Sequence, residues 1–530
     1  MEMQALRETA IEFGMNDPER YGLWRERLEQ DRPTVELLRR ADLRASQAMV
    51  RLDDLIRREP RNRRAANPPD QAEENPDTTA HEVVERTKYG TESVSDRVAQ
   101  ALRTITERTE LNAFTAVFGE RALDEARSLD ERLGRGKAIG PLGGVIVAVK
   151  DLIAVEGYRT TGATRALQLE PSKSDAVAVA RLRSAGAVII GAANLHALAY
   201  GALSTSSDVG AVGNPLRPEA IAGGSSGGSA AAVRAGMADL ALGTDTAGSI
   251  RIPSALCGVV GLKPTYGRIP TTGVHALGPS LDHVGPITRT VADAALSLQV
   301  MSDHSFQAAD TRWRDLDGVV VGIPRTYFRD HLDPEVREAL ESALTAVTDL
   351  GGQIREVDIP SLEFSSGAML CTLAAEAFDV HRELLREHGD LLPDDVRLRL
   401  EVGMFRTGPD YVRAQRFRAV LQAEMDQTLR DTDVLLTPTV TVTAPPHGVS
   451  ELDVEGAHWT TQFALTRLTM PFNLTGHPAL TLPWATDRHG GSIGMQLAGR
   501  PMDEVTLLGA AEALENTRTR RGADMPTSTG

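Results

Sequence analysis

The sequence predicts an α/β fold, a buried sheet covered by helices. Three observations lead there. Val145-Ile146-Val147-Ala148-Val149, ending at Lys150, is a continuous β-branched and apolar run without polar alternation, the pattern of an interior strand covered on both faces. Similar runs follow helix-forming stretches: residues 176–185 precede a strand at 187–190, and residues 230–237 precede one at 240–243. The composition, 41% hydrophobic and 25% charged over 530 residues, is that of an ordinary globular protein, long enough for one large α/β body.

Charge and composition exclude several function classes. Acidic residues outnumber basic ones 73 to 57, a formal net charge of −16, which argues against nucleic acid or an anionic membrane as partner. Aromatics make up only 4%, too few for base-stacking platforms. Two cysteines, Cys257 and Cys371, cannot form a disulfide framework and read as small buried hydrophobes. No apolar run reaches membrane-spanning length, and the opening residues MEMQALRETAIEFG lack a basic flank and an apolar signal core. The expectation is a cytoplasmic protein. No His/Cys/Asp cluster has metal-ligand spacing, and His81-Glu82 lacks the second histidine of H-E-x-x-H, so neither metal nor cofactor is expected.

Taken in order, residues 1–80 form a helical region and linker. Asn16-Asp17-Pro18 and Arg32-Pro33-Thr34 mark helix starts, and Val35, Leu38, Ala41, Leu43, Ala45, Met49, Leu52 and Leu55 make a loose apolar stripe. A stripe that a lone helical pair cannot bury predicts a homodimer contact through residues 2–58. Residues 60–80 are rich in Pro, Asn and charge, a linker composition. The main body spans residues 81–515. It opens with an amphipathic helix over 94–108 and continues through the strand ending at Lys150. Further elements are a strand opening at 318–322, a helix over 334–350 and a late strand over 433–438. Residues 516–530 are polar and are expected to be a flexible tail.

The densest Gly/Ser stretch lies between two of these strands. It holds Gly223-Gly224-Ser225-Ser226-Gly227-Gly228-Ser229 and Asp245-Thr246-Ala247-Gly248-Ser249, with a helix and a strand between them that can return the second serine to the first. A glycine-containing turn can aim several backbone N–H groups at one point, as an oxyanion requires. The first run also matches the G-x-S-x-G nucleophile elbow, but the two prolines of Asn214-Pro215-Leu216-Arg217-Pro218 do not form the strand that motif needs. A phosphate loop would need G-K-[ST], which is absent here.

GGSSGGS followed by DTAGSIRIPSALCGVVGLKPT, together with Gly144–Asp151, resembles the amidase signature family in order and spacing, Ser225 and Ser249 lying 24 residues apart. Leu111-Asn112-Ala113-Phe114, Tyr266-Gly267-Arg268, Leu281-Asp282-His283-Val284-Gly285-Pro286 and Pro471–Ala479 extend the match from about Ser93 to about Glu515. The resemblance implies a central twisted mixed sheet covered by helices on both faces. It implies a Ser-cisSer-Lys triad of Ser249 as nucleophile, Ser225 as proton shuttle after a cis Gly224–Ser225 peptide, and Lys150 as base. The N–H groups of Thr246, Ala247, Gly248 and Ser249 would hold the oxyanion, and the loop from Ala199 to Ser206 would wall the acyl pocket. One departure is Ala192, where family members usually carry lysine.

Lys150 can act as a base only when neutral, so its pKa must be lowered by burial among hydroxyls; Asp151, next in the strand, should point to the opposite face. His196, His275 and His283 read as structural. The expected reaction is hydrolysis of a small carboxamide through an acyl-enzyme. The rival is the glutaminase (A) subunit of a glutamyl-/aspartyl-tRNA amidotransferase. Against it stand Ile252 where that subunit has glutamine and Thr466 where it has an acidic residue, whereas Arg399 remains at a position like its carboxylate-binding arginine. A non-catalytic binding protein on the same fold is the third class, and the presence of all three triad positions weighs against it. Specificity would come from the loop at Ala199 and from residues 360–410 and 445–470.

Overall fold

A computed structural model describes residues 79–90 and 92–523. The predicted helices of residues 2–58, most of the linker and the last seven residues lie outside them. Among the described residues, eleven strands form one mixed sheet. They are β1 (Phe114–Val117), β2 (Ile146–Lys150), β3 (Val188–Ala193), β4 (Leu240–Asp245), β5 (Val260–Lys263), β6 (His283–Thr288), β7 (Val320–Pro324), β8 (Gln353–Val357) and β9 (Val434–Pro438), followed by β12 (Ala479–Thr486) and β13 (Ser492–Gly499). Between β9 and β12 a separate hairpin is made by β10 (Glu451–Val454) and β11 (Ala457–Thr460). The order across the sheet is β1-β3-β2-β4-β6-β5-β12-β13-β9-β7-β8. The runs β3-β2-β4 and β9-β7-β8 are parallel and the remaining pairs antiparallel.

Side chains of β2 alternate between two apolar clusters. Val147 and Val149 pack into the larger, which takes in the helices Val177–Ser184, Val291–Met301 and Pro334–Asp349. Ile146 and Ala148 pack on the other face beneath the helices Val94–Glu107, Gly119–Gly134 and Gly227–Arg234. Covering both faces removes any reason for polar alternation, which is why β2 reads as a continuous apolar run.

Differences from the sequence reading concern element ends. The helix expected at 230–237 starts three residues earlier, at Gly227. Its first turn lies so close to neighbouring backbone that a Cβ on Gly228 would meet Asn194 O at 2.4 Å and Ala113 O at 2.5 Å, so glycine is a packing requirement there. The strand expected at 240–243 runs on to Asp245. The body begins with the helix Ala80–Lys88, whose Thr79 and Glu82 form a reciprocal capping box. At the other end the helix Glu504–Ala523 continues past Asn516, where a flexible tail was expected; its run of Ala, Leu, Glu and Arg keeps helical propensity without an early breaker. No helix among the described residues is long and apolar enough to cross a membrane.

Candidate active site

Lys150 closes β2, with no solvent-exposed surface. Its neighbour β4 runs parallel to β2, Val149 facing Leu242, and the two extra residues of β4 carry Thr244 up to the level of the ammonium. Lys150 Nζ donates to Ser225 Oγ at 2.7 Å, to Thr244 Oγ1 at 2.8 Å and to the Thr244 carbonyl at 3.4 Å. All three acceptors are uncharged. Burial pulls the Lys150 pKa down from 10.5 to about 7, partly opposed by the charges of Asp245 and Asp282. Asp151 faces the other way, accepting from Thr115 Oγ1 at 2.7 Å, Tyr158 OH at 3.1 Å and the Thr161 N–H at 3.0 Å.

Ser225 is fully buried and follows a cis peptide bond with Gly224, as the resemblance implied. Its carbonyl accepts from the His196 N–H at 3.1 Å and from Ser204 Oγ at 3.2 Å, fixing the loop against the segment that carries Ala199. Ala199 lies on that segment with φ 60°, its N–H donating to the His196 carbonyl at 2.8 Å. The next residue after Ser225, Ser226, joins the two serine turns: its N–H donates to the Ser249 carbonyl at 3.1 Å and its hydroxyl to the Thr244 carbonyl at 3.2 Å. Exposure rises outward, from none at Lys150 and Ser225 to 6% at Ser249.

The turn from Asp245 to Ser249 is built on a buried ion pair. Arg251 donates through Nε and a terminal nitrogen to the two Asp245 oxygens, both at 3.0 Å, and neither side chain is exposed. Asn473 Nδ2 adds a hydrogen bond of 2.7 Å to the same carboxylate. The Asp245 carboxylate then accepts from the Gly248 N–H at 2.7 Å and the Ile250 N–H at 3.2 Å. Gly248 has φ 124°, and a Cβ there would meet Thr469 Oγ1 at 2.2 Å. Thr469 Oγ1 donates to the Ala247 carbonyl at 2.6 Å, and Thr246 Oγ1 to Asp282 at 2.6 Å. Of the four amides expected to hold an oxyanion, that of Gly248 donates to Asp245.

Three histidines serve packing and hydrogen bonding. His196 Nε2 meets Asp395 at 3.0 Å, His275 meets His381 at 3.2 Å, and His283 Nδ1 reaches the Leu281 carbonyl at 2.6 Å. Arg399 is held by Asp395 at 2.8 Å and by the Tyr200 carbonyl at 2.6 Å. Thr466 turns its hydroxyl onto the Gln462 carbonyl of its own helix at 2.9 Å, and Gln462 Oε1 accepts from the Ala202 N–H at 2.7 Å. The segment 199–206 thus touches Arg399 of segment 360–410 and Gln462 of segment 445–470. Sequence reasoning missed Thr244, Asp245, Arg251, Thr469, Asn473 and Asp282. Thr244 could have been found by extending the strand one residue. Asp282 and Asn473 sit inside quoted motifs, but nothing in their spacing shows which turn they hold.

A family model described as Amidase matches residues 96–508. The chain is 39% identical over 426 residues to an amidase of Pseudomonas putida, covering 77% of this chain and 89% of that protein. It is 35% identical over 482 residues to the glutamyl-tRNA(Gln) amidotransferase (A) subunit of Lachnospira eligens, covering 84% of this chain and 99% of that protein. Among solved structures, a crystal structure of amidase superposes with a TM-score of 0.79 at 35% identity, covering 83% of this chain and all of that one.

Proposed function

The chain belongs to the amidase signature family and is a hydrolase of amide C–N bonds, and on that premise we propose that it hydrolyses a small-molecule carboxamide through an acyl-Ser249 intermediate. Ser249 Oγ attacks the carbonyl carbon, Ser225 takes the proton, and Lys150 receives it from Ser225. The oxyanion is held by N–H groups of the turn, Thr246, Ala247 and Ser249 being those that Asp245 does not engage. Collapse of the tetrahedral intermediate releases ammonia or an amine, protonated back along the same relay. A water molecule, deprotonated by the relay, then cleaves the acyl-enzyme to a carboxylate.

One observation carries this reading: a fully buried lysine, with its pKa near 7, donates to Ser225 Oγ at 2.7 Å and has only uncharged hydrogen-bond acceptors among the described residues. A lysine with these neighbours is half neutral at neutral pH, as a general base should be. The outward rise in exposure from Lys150 to Ser249 supports the order base, shuttle, nucleophile. The apolar stripe from Val35 to Leu55 supports a homodimer contact through residues 2–58.

The test is intact mass after treatment with a fluorophosphonate. One adduct is expected on the wild type and none on Ser249→Ala; an adduct on both, or on neither, counts against the reading. A panel of amides, ureas, carbamates and esters then defines the substrate. The second reading, a glutaminase subunit, is favoured by the similarity to the Lachnospira eligens protein along 99% of its length. Against it, Thr466 offers no carboxylate to an amine, and Asp395 already pairs with Arg399. Glutamine-dependent ammonia release with partner subunits added would favour it instead.

A further inference from the structure

The motif containing Leu281-Asp282 plays no part in the relay, yet it reaches the turn that carries Ser249. Asp282 is buried, and its carboxylate accepts from Thr246 Oγ1 at 2.6 Å, from the Leu277 N–H at 2.9 Å and from the Gly278 N–H at 3.1 and 3.2 Å. Every one of these donors is uncharged. The same loop is clamped from outside. Glu376, on the helix Ser365–His388, accepts from the Ser280 N–H at 2.9 Å and its hydroxyl at 2.5 Å, while Arg418 donates to the Ser280 carbonyl at 2.8 Å. Tyr266 OH donates to the Pro279 carbonyl at 2.8 Å.

We infer that Asp282 is a positioning residue for the turn from Thr246 to Ser249, holding it by the Thr246 hydroxyl while its charge acts on Lys150. This rests on the reading of Lys150 as base and Ser249 as nucleophile. The two carboxylates that attract the Lys150 ammonium are Asp245 and Asp282. Asp245, the stronger of the two, is ion-paired with Arg251, whereas among the described residues no cation pairs with Asp282 in its hydrogen-bond shell. The charged and titratable groups facing Asp282 are Lys150 from β2, Glu376 from the Ser365–His388 helix and Tyr266 from the loop after β5. Burial raises the Asp282 pKa to about 6, so it is ionised where Lys150 titrates near 7. A negative charge there favours the ammonium, so removing it lets Lys150 lose its proton at lower pH.

The experiment measures fluorophosphonate labelling of the full chain from pH 5 to 9 for the wild type, Asp282→Asn, Thr246→Val and Thr246→Ser. Asp282→Asn is expected to move the acid limb down by about half a unit or more, with a lower plateau. Thr246→Val should lower the plateau about tenfold, a fraction of the effect of deleting an oxyanion donor, and move the limb down no further than Asp282→Asn does, because the lost hydrogen bond raises the Asp282 pKa; Thr246→Ser should restore both. An unmoved or raised limb in Asp282→Asn, or wild-type labelling by Thr246→Val, overturns the inference. If Asp282→Asn does not fold, the Thr246→Val rate decides alone. Labelling that persists in Ser249→Ala would instead overturn the underlying reading of the nucleophile.

Discussion

Replacing Lys150 by methionine should abolish labelling and yet stabilise the protein at low pH. In the folded chain the Lys150 pKa lies near 7, against 10.5 for an ordinary lysine. The unfolded chain therefore binds a proton more tightly than the folded one, and stability rises with pH between about 7 and 10.5. Below that window the burden is complete, roughly 5 kcal/mol at about 1.4 kcal/mol per pKa unit. Methionine removes it but also leaves Ser225 and Thr244 without the amine, a loss of about 2 kcal/mol. The net gain at pH 6 is therefore about 3 kcal/mol, shrinking as pH rises and reversing at about pH 9, where the remaining burden has fallen to the same ~2 kcal/mol. Urea denaturation followed by tryptophan fluorescence at pH 6, 8 and 10 reads it directly. A Lys150→Met protein less stable than wild type at pH 6, or a difference that does not vary with pH, refutes the argument that burial depresses this lysine.

Thr244→Val keeps the shape of the strand residue and deletes one acceptor of the ammonium, so the acid limb of labelling should fall by about one unit from near 7; a limb that rises or stays would show that the hydroxyl does not hold the charged form. A chain starting at Thr79, which keeps the cap of its first helix, should label at the wild-type rate but elute as a smaller species by light scattering. If it remains dimeric, residues 2–58 are not the dimer contact; if it folds but no longer labels, they shape the route to the site.

What was legible in the sequence follows from which forces act locally. The strand ending at Lys150 could be read because burial on both faces demands apolar residues at every position. The serine turns could be read because glycine is required where backbones approach closely, as at Gly228, or where φ is positive against a neighbouring side chain, as at Gly248. The partners of those turns were not legible. Thr246 is held by Asp282, 36 residues away, and Asp245 by Asn473, 228 residues away. No periodicity encodes such pairings, because the sheet order brings β4 beside β6, and Asn473 comes from the segment just before β12. The glycine run misled at one point: Gly227 and Gly228 favour a loop by propensity, and tertiary packing makes them the first turn of a helix.

On the proposed reading of Lys150 as base, the placement of charge explains how one small volume keeps that lysine neutral near pH 7. Lys150, Lys263, Arg251, Asp245 and Asp282 are all buried around the serine turns. Without a cation beside it, Asp245 would attract the Lys150 ammonium more strongly and raise its pKa. Arg251 prevents this by taking both carboxylate oxygens, and its charge with its hydrogen bonds holds Asp245 well below the usual carboxylate range despite burial. An always-charged guanidinium suits that role better than a second lysine, which burial would neutralise: Lys263, equally buried, is pushed well below its ordinary pKa, with Arg251 adding to the effect. The same carboxylate also receives the Gly248 and Ile250 amides, so one group shapes the serine turn and, even when paired with Arg251, supplies the larger of the two carboxylate attractions on Lys150. Asp282 remains as the counter-charge that no cation pairs among the described residues, and its three neutral donors leave enough of its field to reach Lys150. Shape and pKa at this site are therefore set by two carboxylates with different partners, one tied to a cation and one to a hydroxyl of the turn itself.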